Sequence, residues 1–179
     1  MVKKVLIISS SPRKGGNSDT LADEFMKGAK ESGNIVEKIS LREKKINYCT
    51  GCGVCTSGKS CPQKDDVPEI LEKMVNADVI VLATPVYFYT MCGQLKTLID
   101  RCCSRYTEME NKEFYFIVSA ADTEKQSMNR IIEELKGFTI CLNNAEEKGV
   151  IYGLGAWQIG DIKKNSKVMK EAFDMGKSI

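Results

Sequence analysis

Continuous apolar runs alternate with helix-like apolar spacing along this 179-residue chain, and this alternation limits the folds that it can adopt. Each run is too short for a buried helix and has few polar interruptions, which is typical of strands covered on both faces. Because such strands belong to parallel sheets, the pattern predicts a parallel sheet between two layers of helices. The predicted strands are Lys4–Ser9, Ile35–Ser40, Asp78–Thr84, Glu113–Ser119 and Val150–Gly153.

A helix is predicted after each strand, and together these elements give five βα units without a repeat or a linker. One helix begins near Asp66, where Asp66 and Glu69 have the spacing of a capping box and Pro68 stands in the first turn. The other predicted helices cover residues 18–32, 93–105, 125–142 and 163–177. We therefore expect a single α/β domain over residues 1–179, with ligands at the carboxyl ends of its strands.

The composition excludes several classes of function. The formal net charge is +2 and there is no long basic run, so a nucleic-acid partner is not predicted. No apolar run reaches the roughly 18 residues that span a bilayer, and the first run is too short for a signal peptide, so we expect a cytoplasmic protein without a membrane partner. The chain has no histidine, which rules out Ser–His and Cys–His catalysis and mixed Cys/His zinc sites. We therefore expect a bound cofactor to supply the chemistry.

The loop after the first predicted strand, Ser9–Ser18, reads SSSPRKGGNS and leads into a helix. Serine hydroxyls, unhindered glycine N–H groups and the partial positive charge of a helix N-terminus make such a loop suited to a phosphate. Arg13 is a candidate partner for that phosphate. The alternative is an ordinary polar turn in which Asn17 or Ser18 caps the helix, and the loop chemistry alone leaves both interpretations open.

Two further strand ends carry candidate ligand-binding loops. Thr84–Met91, TPVYFYTM, places aromatic residues where a flat ring could lie, although aromatic residues that fill the core are the alternative. Ser119–Asp122, SAAD, offers small residues that permit the close approach of a ring. For residues 153–162, which include Trp157 and end in Gly-Asp-Ile, we expect structural packing, because the segment lacks the third glycine of a nucleotide motif.

Four of the eight cysteines stand between residues 49 and 61, in the spacing C-x2-C-x2-C-x5-C-P. The stretch Gly53–Ser60 formally matches the phosphate-binding pattern G-x-x-x-x-G-K-[ST]. Neither a good strand before it nor a helix directly after it is predicted, so we interpret the match as chance. Zinc is disfavoured because its all-cysteine sites use paired C-x-x-C knuckles, and disulfides are disfavoured in a reducing compartment.

Two interpretations of these four cysteines remain open. They hold an iron–sulfur cluster, or they form a loop of free thiols. Gly51, Gly53 and Gly58 allow the backbone to curl, so that thiolates can converge on one cube. The other cysteines stand mostly at helical positions and are expected in the core. They are Cys92, Cys102, Cys103 and Cys141.

Two motifs carry a resemblance to a known family. The first is S-P-R-x-x-G-N-S at Ser11–Ser18, and the second joins T-P-V-Y at Thr84–Tyr87 to L-K-x-x-I-D-R at Leu95–Arg101. With these motifs, almost the whole chain resembles the NADPH-dependent FMN reductase-like family of the flavodoxin fold. The resemblance implies a flavodoxin-like three-layer α/β sandwich around a five-stranded parallel sheet in the order 2-1-3-4-5.

The resemblance also implies where FMN binds. Its phosphate would be surrounded by Ser11, Pro12, Arg13, Gly16, Asn17 and Ser18, and its isoalloxazine ring by Pro85, Val86, Tyr87 and Phe88. From their places in the loops, we expect Ser9 at the phosphate, and Ser119, Ala120 and Asp122 on the other side of the ring. Many members have Trp or Gly just after the tyrosine, so Phe88 and Tyr89 predict different ring stacking and substrate access.

The activity that the resemblance implies is an NAD(P)H oxidoreductase in which FMN passes electrons to a quinone, a flavin or another small acceptor. The iron–sulfur flavoprotein subset carries a similarly compact cysteine motif. It implies the alternative of an electron carrier with ferredoxin-like partners and a [4Fe–4S] cluster held by Cys49, Cys52, Cys55 and Cys61. Many other relatives keep C-x-x-C-x-x-C followed by Asp-Asp and are described only as FMN-dependent reductases, so both alternatives remain open. Relatives commonly pair, which implies a homodimer or a tetramer.

Overall fold

A computed structural model describes all residues from Met1 to Ile179. The strands are β1 (Lys4–Ser9), β2 (Ile35–Ser40), β3 (Val79–Tyr87), β4 (Thr90–Met91), β5 (Glu113–Ser119) and β6 (Glu146–Gly153). The helices are α1 (Asn17–Glu31), α2 (Val67–Asn76), α3 (Gly93–Arg101), α4 (Asn129–Thr139) and α5 (Ser166–Lys177). None of these helices combines the length and the hydropathy that a membrane span needs.

The sheet is built outward from β1 and β3, which are neighbours in its interior. β1 pairs in parallel with β2 on one side and with β3 on the other. β5 and β6 continue the sheet beyond β3, so the parallel strands have the order β2-β1-β3-β5-β6. The predicted flavodoxin-like order is confirmed, since β4 is only a two-residue strand that pairs antiparallel with the end of β3.

Two hydrophobic cores lie on the two faces of the sheet. Successive residues of β1 point to opposite faces, so Val5 and Ile7 pack with α1 and α5, whereas Leu6 and Ile8 pack with α2, α3 and α4. All four of these residues are at most 3% exposed. This burial on both faces is the reason why the strand sequences read as continuous apolar runs.

Several elements begin or end away from their predicted bounds. β6 begins at Glu146 rather than Val150, because its first residues are charged and exposed at the edge of the sheet and form no apolar run. α5 begins at Ser166 because the side chain of Asn165 accepts the N–H of Val168 and caps the helix at that point. α3 and α4 are also shorter than predicted, since 3-10 turns adjoin them.

The capping box predicted at the start of α2 is wrong. Asp66 has helical backbone angles, and its carboxylate accepts the N–H of Lys45 at 2.7 Å instead of capping the helix. The carboxylate of Asp65 accepts the N–H of Val67 at 3.2 Å and serves the start of the helix. Asp66 bonds Lys45, and Asp65 also accepts the N–H of Asn47 at 2.9 Å, so both aspartates are placed by distant parts of the chain, which local spacing does not reveal.

Two of the four cysteines predicted in the core lie on the surface. Cys92 and Cys102 are buried, as expected, but Cys103 and Cys141 are exposed. Cys103 lies in the 3-10 turn after α3, and Cys141 lies beyond the end of α4. The prediction for these two is wrong because the helical register that would bury them has ended.

Two glycines hold α1 and α5 in backbone contact. A Cβ on Gly28 of α1 would lie 2.0 Å from the carbonyl O of Phe173, and a Cβ on Gly176 of α5 would lie 2.1 Å from that of Phe25. Both positions therefore require glycine because of close approach, and the contact supports the face of the sheet that α1 covers.

Gly28→Ala is expected to lower the free energy of unfolding by about 1–3 kcal/mol or more, because its methyl group meets backbone atoms that no rotamer change can move. Gly137→Ala in α4 is the matched control, since nothing lies within 4 Å of its added Cβ. The control should be neutral or slightly stabilising, because alanine is the better helix former. Urea unfolding measures both variants, and a Gly28→Ala protein as stable as the wild type contradicts the packing of α1 on α5.

Candidate functional site

A cleft opens at the carboxyl ends of the strands, beside the switch point between β1 and β3. At this point successive βα units depart to opposite sides of the sheet, which leaves a crevice between their loops. The lining comes from the loops after β1, β3, β5 and β6. It consists of Ser11, Arg13, Gly16, Asn17, Pro85, Val86, Tyr87, Ser119, Ala120, Ala121, Ala156, Trp157 and Ile159.

Most of the residues predicted to bind a cofactor line this cleft. Those that do not are Ser9, Pro12, Ser18, Phe88 and Asp122. Ser9 and Ser18 are fully buried, whereas Phe88 is 95% exposed in the turn between β3 and β4. The structure therefore brings the predicted loops to one place, while the binding role of each residue stays a prediction.

The loop after β1 forms a tight curl at the start of α1. The hydroxyl of Ser11 donates to the carbonyl O of Arg13 at 3.0 Å and accepts the N–H of Arg13 at 3.2 Å. A Cβ on Gly16 would stand 2.4 Å from Ser11 Oγ, so the curl depends on glycine at this position. Gly16 is also the N-cap of α1, and no side chain caps the helix.

The start of α1 therefore presents hydrogen-bond donors without partners. The first N–H groups of any helix lack intrahelical acceptors, and no side chain replaces those acceptors in α1. The hydroxyl of Ser18 is buried and has no hydrogen-bond partner in the protein. Such a group is costly unless a ligand bonds it. Neither Asn17 nor Ser18 caps the helix, although the alternative interpretation of an ordinary turn predicts such a cap, and the donors suit an anion.

The loop after β6 contributes a wall that the sequence motifs do not indicate. Arg13 Nη1 donates to the carbonyl O of Trp157 at 3.1 Å, and Asn17 Nδ2 donates to that of Gln158 at 3.0 Å. Asp161 Oδ2 accepts the N–H groups of Trp157 at 3.2 Å and Gln158 at 2.7 Å, which fixes the turn. The loops after β1 and β6 are therefore joined across the cleft.

Within this wall, the expected packing role holds for one residue and fails for another. Ile162 is buried, as predicted for the Gly-Asp-Ile segment, but Trp157 is 66% exposed beside the cleft. Ala156 and Ile159 were also missed as lining residues. The strand topology does indicate such lining residues, because the loops after all parallel strands leave from the same edge of the sheet.

A buried carboxylate supports the loop after β1. Asp19 Oδ1 accepts the hydroxyl of Ser9 at 2.6 Å, and Asp19 Oδ2 accepts the N–H of Gly15 at 3.1 Å. Lys38 Nζ lies 2.7 Å from Asp19 Oδ1 and 2.6 Å from Asp23 Oδ1. Burial alone would raise the pKa of Asp19, but its hydrogen bonds, of which that with Lys38 is the largest, hold the pKa below its ordinary value. The carboxylate therefore stays ionised and ties together β1, α1 and β2.

The turn between β3 and β4 presents aromatic rings to solvent beside the cleft. Phe88 and Tyr89 have left-handed backbone angles, with φ of 51° and 64°. Bulky residues seldom adopt these angles, which cost about 1–2 kcal/mol each, and such strain concentrates at functional sites. Tyr87, Phe88 and Tyr89 are all exposed, so the alternative that they fill the core is wrong.

The cysteine loop, residues 48–64, does not have the geometry of a nucleotide phosphate loop. Cys55–Ser57 is a 3-10 turn, and the next helix, α2, begins only at Val67. The formal match at Gly53–Ser60 is therefore not followed by the helix N-terminus that a phosphate loop needs.

The four thiols of the cysteine loop are free and accessible. Cys49 and Cys52 are exposed, and Cys55 and Cys61 are half-buried. The three glycines between the cysteines all have left-handed angles, with φ of 63°, 71° and 77° at Gly51, Gly53 and Gly58. No three Cys, Asp or Glu side chains of the structure converge as metal ligands.

A larger groove lies near the turn between β3 and β4, where the end of α3 meets α4. It has a volume of about 690 Å³ and includes Met91, Ile99, Tyr106 and Phe138. Its lining is mainly apolar and contains no counterpart of the free donors at the start of α1. The smaller cleft is therefore the better candidate for a phosphate-bearing cofactor.

Residues 3–140 match the family described as NADPH-dependent FMN reductase. This range includes the loops after β1, β3 and β5 and the whole cysteine loop.

Curated relatives extend the similarity to the end of the chain. An iron–sulfur flavoprotein of Archaeoglobus fulgidus is 33% identical over 193 aligned residues, which cover 98% of this chain and 93% of the relative. A second one from the same organism is 44% identical over 98 residues, 55% of this chain and 44% of the relative. The chain spans about half the length of this second relative and of another iron–sulfur flavoprotein that it matches.

A solved structure supports the fold over the whole chain. The Trp repressor binding protein from Bacillus subtilis superimposes with a TM-score of 0.73 at 25% identity, and the match covers 97% of this chain and 99% of that one.

Asp19→Asn is expected to lower the free energy of unfolding at pH 7 by about 1.5–3 kcal/mol, the usual contribution of hydrogen bonds to a charged group. Because the pKa of Asp19 is lowered in the folded protein, its stabilisation is complete above the ordinary value of 3.8 and is lost as the pH falls below it. The difference between variant and wild type should therefore shrink below about pH 4. Asp174→Asn, at an exposed ion pair, is the control and should change little. A difference that stays constant from pH 7 to pH 3, in urea unfolding, contradicts this account.

Proposed function

Because the chain belongs to the NADPH-dependent FMN reductase family, we propose that it is an FMN-dependent oxidoreductase that binds its flavin in the cleft beside β1 and β3. The observation that carries this proposal is the uncapped start of α1, with its free N–H groups and the buried, unpartnered hydroxyl of Ser18. The phosphate of FMN offers the acceptor oxygens that these donors lack, and the helix N-terminus favours its charge.

The rest of the cleft suits the riboflavin part of FMN. Its lining includes small or apolar residues against which a flat ring can pack, namely Pro85, Val86, Ala120, Ala121 and Ala156. When bound, FMN supplies the electron chemistry, and the protein holds the ring, orients it and keeps water from its covered face.

Three side chains form the outer rim of the proposed flavin site. Arg13 is fixed by its hydrogen bond to the carbonyl O of Trp157, so its guanidinium adds positive charge near the loop after β1. The indole of Trp157 and the ring of Tyr87 are exposed beside the cleft. We place the nicotinamide or the acceptor on this open side, where aromatic surface is available for stacking.

For the electron donor and acceptor, we propose NAD(P)H and a quinone, a free flavin or another small molecule. The family description names NADPH as the donor. Arg13 is the one charged residue that lines the cleft, and the chain has no histidine. Protons must therefore come from solvent or from hydroxyl groups, since no histidine or carboxylate lines the cleft.

A second candidate function is electron transfer through a [4Fe–4S] cluster with ferredoxin-like partners. The cysteine loop favours it, because four free thiols stand on one segment whose glycines already have the angles that a tight curl needs. An all-thiolate donor set is the one that such clusters use. The relatives described above are named iron–sulfur flavoproteins. In this proposal Cys49, Cys52, Cys55 and Cys61 hold the cluster, and the loop closes further when it forms.

We also propose that the chain forms a homodimer or a tetramer. Phe88 and Ile140 are 95% and 84% exposed, and they stand within two residues in the chain of Thr90 and Cys141, which line the apolar groove between α3 and α4. Exposed apolar surface of this kind is typical of protein–protein contact, and its burial would place a partner close to the flavin site.

Ser18→Ala is expected to weaken FMN binding roughly 10- to 100-fold, because a hydrogen bond to a charged group contributes about 1.5–3 kcal/mol. The same change should not destabilise the FMN-free protein, since it removes a buried hydroxyl that has no partner. Ser178→Ala, at an exposed serine near the C-terminus, is the matched control and should leave the affinity unchanged. Calorimetric titration of FMN-free protein measures the dissociation constants, and wild-type affinity of Ser18→Ala would exclude this serine from the phosphate site.

The two candidate functions are separated by anaerobic mixing of the FMN-loaded protein with NADPH. The first predicts that the flavin absorbance bleaches with one NADPH per flavin, and the second predicts reduction by a reduced ferredoxin but not by NADPH. Cys52→Ser should lose iron while it retains FMN, whereas Cys141→Ser, at an exposed cysteine outside the cysteine loop, should retain both. Flavin that neither reductant bleaches contradicts both candidates.

A further inference from the structure

The last residue of α3 is a buried arginine that reaches into the cysteine loop. Arg101 Nη1 lies 2.6 Å from Asp65 Oδ2, and its Nη2 lies 3.2 Å from Asp65 Oδ1, which makes the pair bidentate. Nη1 also donates to the carbonyl O of Asn47 at 2.8 Å. The side chains of Arg101 and Asp65 are 1% and 0% exposed, so the pair is shielded from solvent.

The partner carboxylate joins the two ends of the cysteine loop. Asp65 Oδ2 accepts the N–H of Asn47 at 2.9 Å, and Asp65 Oδ1 accepts the N–H of Val67 at 3.2 Å. Burial acts to raise the pKa of Asp65, but the hydrogen bonds from Arg101 and the two N–H groups outweigh it and lower the pKa. One ion pair therefore closes the loop at Asn47, before the first cysteine, and at Asp65, after the last.

The same guanidinium contacts a cysteine of the proposed cluster site. Arg101 Nη2 lies 3.5 Å from the Sγ of Cys61, within hydrogen-bond distance for sulfur. A thiolate at this position is a better acceptor than a thiol, because the bond is then charge-assisted. Hydrogen bonds to the sulfurs are among the features that set the reduction potential of an iron–sulfur cluster.

We propose that Arg101 is the positioning residue of the cysteine loop, which it closes through Asp65 and Asn47, and that it donates a hydrogen bond to the Cys61 sulfur, which raises the reduction potential of the cluster. This inference rests on the proposed [4Fe–4S] cluster for its second part, whereas the closure of the loop is independent of metal. The direction follows from the hydrogen bond to the sulfur, since reduction adds negative charge to the cluster and a donor to the Cys61 sulfur stabilises that charge.

Lysine cannot replace arginine in this role. The planar guanidinium serves Asp65, Asn47 and Cys61 at once with donors on two nitrogens, whereas an ammonium is a point charge without this fork. Arg101→Lys therefore keeps the charge and the ion pair with Asp65 but loses the simultaneous contacts with the loop. This variant therefore distinguishes a role of Arg101 in positioning the loop from a role as a counter-charge to Asp65.

The loop closure is tested by hydrogen exchange on the metal-free protein. Asp65→Asn replaces two acceptor oxygens by one, and Arg101→Lys removes the bidentate fork that holds Asp65 in place. Both variants should therefore exchange the amides of Asn47 and Val67 at least about tenfold faster than the wild type. Asp100→Asn is the matched control, since it removes the adjacent carboxylate from an exposed ion pair with Lys96. Unchanged exchange in both Arg101→Lys and Asp65→Asn overturns the closure, provided that far-ultraviolet circular dichroism and FMN content show folded protein.

The contact with Cys61 is tested on anaerobically reconstituted protein by iron content and redox titration. Arg101→Lys should keep its FMN, bind less iron and show a more negative cluster potential, whereas Asp100→Asn should match the wild type in all three. A wild-type potential and iron content in Arg101→Lys overturn the role of Arg101 at the sulfur. A wild-type protein that takes up no iron overturns the proposed cluster and the tuning with it, and hydrogen exchange then decides the loop closure alone.

Discussion

The parallel pairing of β1 with β2 on one edge and β3 on the other is the constraint on which the rest of the structure depends. It places β1 in the interior of the sheet, where helices cover both of its faces, and brings its loop to the switch point, directly beside the loop after β3. The same pairing aims the N-terminus of α1 at this point, and the contact of α1 with α5 through Gly28 and Gly176 holds that helix in place. The position of the candidate flavin site therefore follows from the strand topology, independently of which residues line it.

Two buried ion pairs fix the two irregular segments that this framework carries. Asp19 and Lys38 support the loop after β1, and Asp65 and Arg101 close the cysteine loop. Buried pairs often add little net stability, because desolvation offsets their attraction, but they specify a geometry since any other arrangement leaves a charge unpaired. In this protein both pairs lie directly beside the groups proposed to bind a cofactor. They hold in one conformation the segments that have no regular backbone hydrogen bonding of their own.

Much of the fold could be predicted from apolar periodicity, because burial on both faces leaves a direct mark on a strand sequence. The bounds of β1, β2 and β5 are those predicted. The predicted last strand is shorter than β6, because the first half of β6 is charged and lies at the sheet edge. Local motifs failed where distant contacts decide the outcome. The capping box at Asp66 is wrong for this reason, since its carboxylate bonds the distant Lys45 N–H. Trp157 is not indicated by any local motif, because the wall beside the cleft forms only when the loops after β1 and β6 meet.

The central claim is that the start of α1 holds the phosphate of FMN, and the affinities of FMN-free protein for FMN and for riboflavin test it most directly. Riboflavin presents the same ring system but no phosphate, so it leaves the free N–H groups and the Ser18 hydroxyl without acceptors. The account predicts that FMN binds at least about 100-fold more tightly, since two charge-assisted hydrogen bonds at about 1.5 kcal/mol each give this factor. Equal affinity for the two flavins would contradict it.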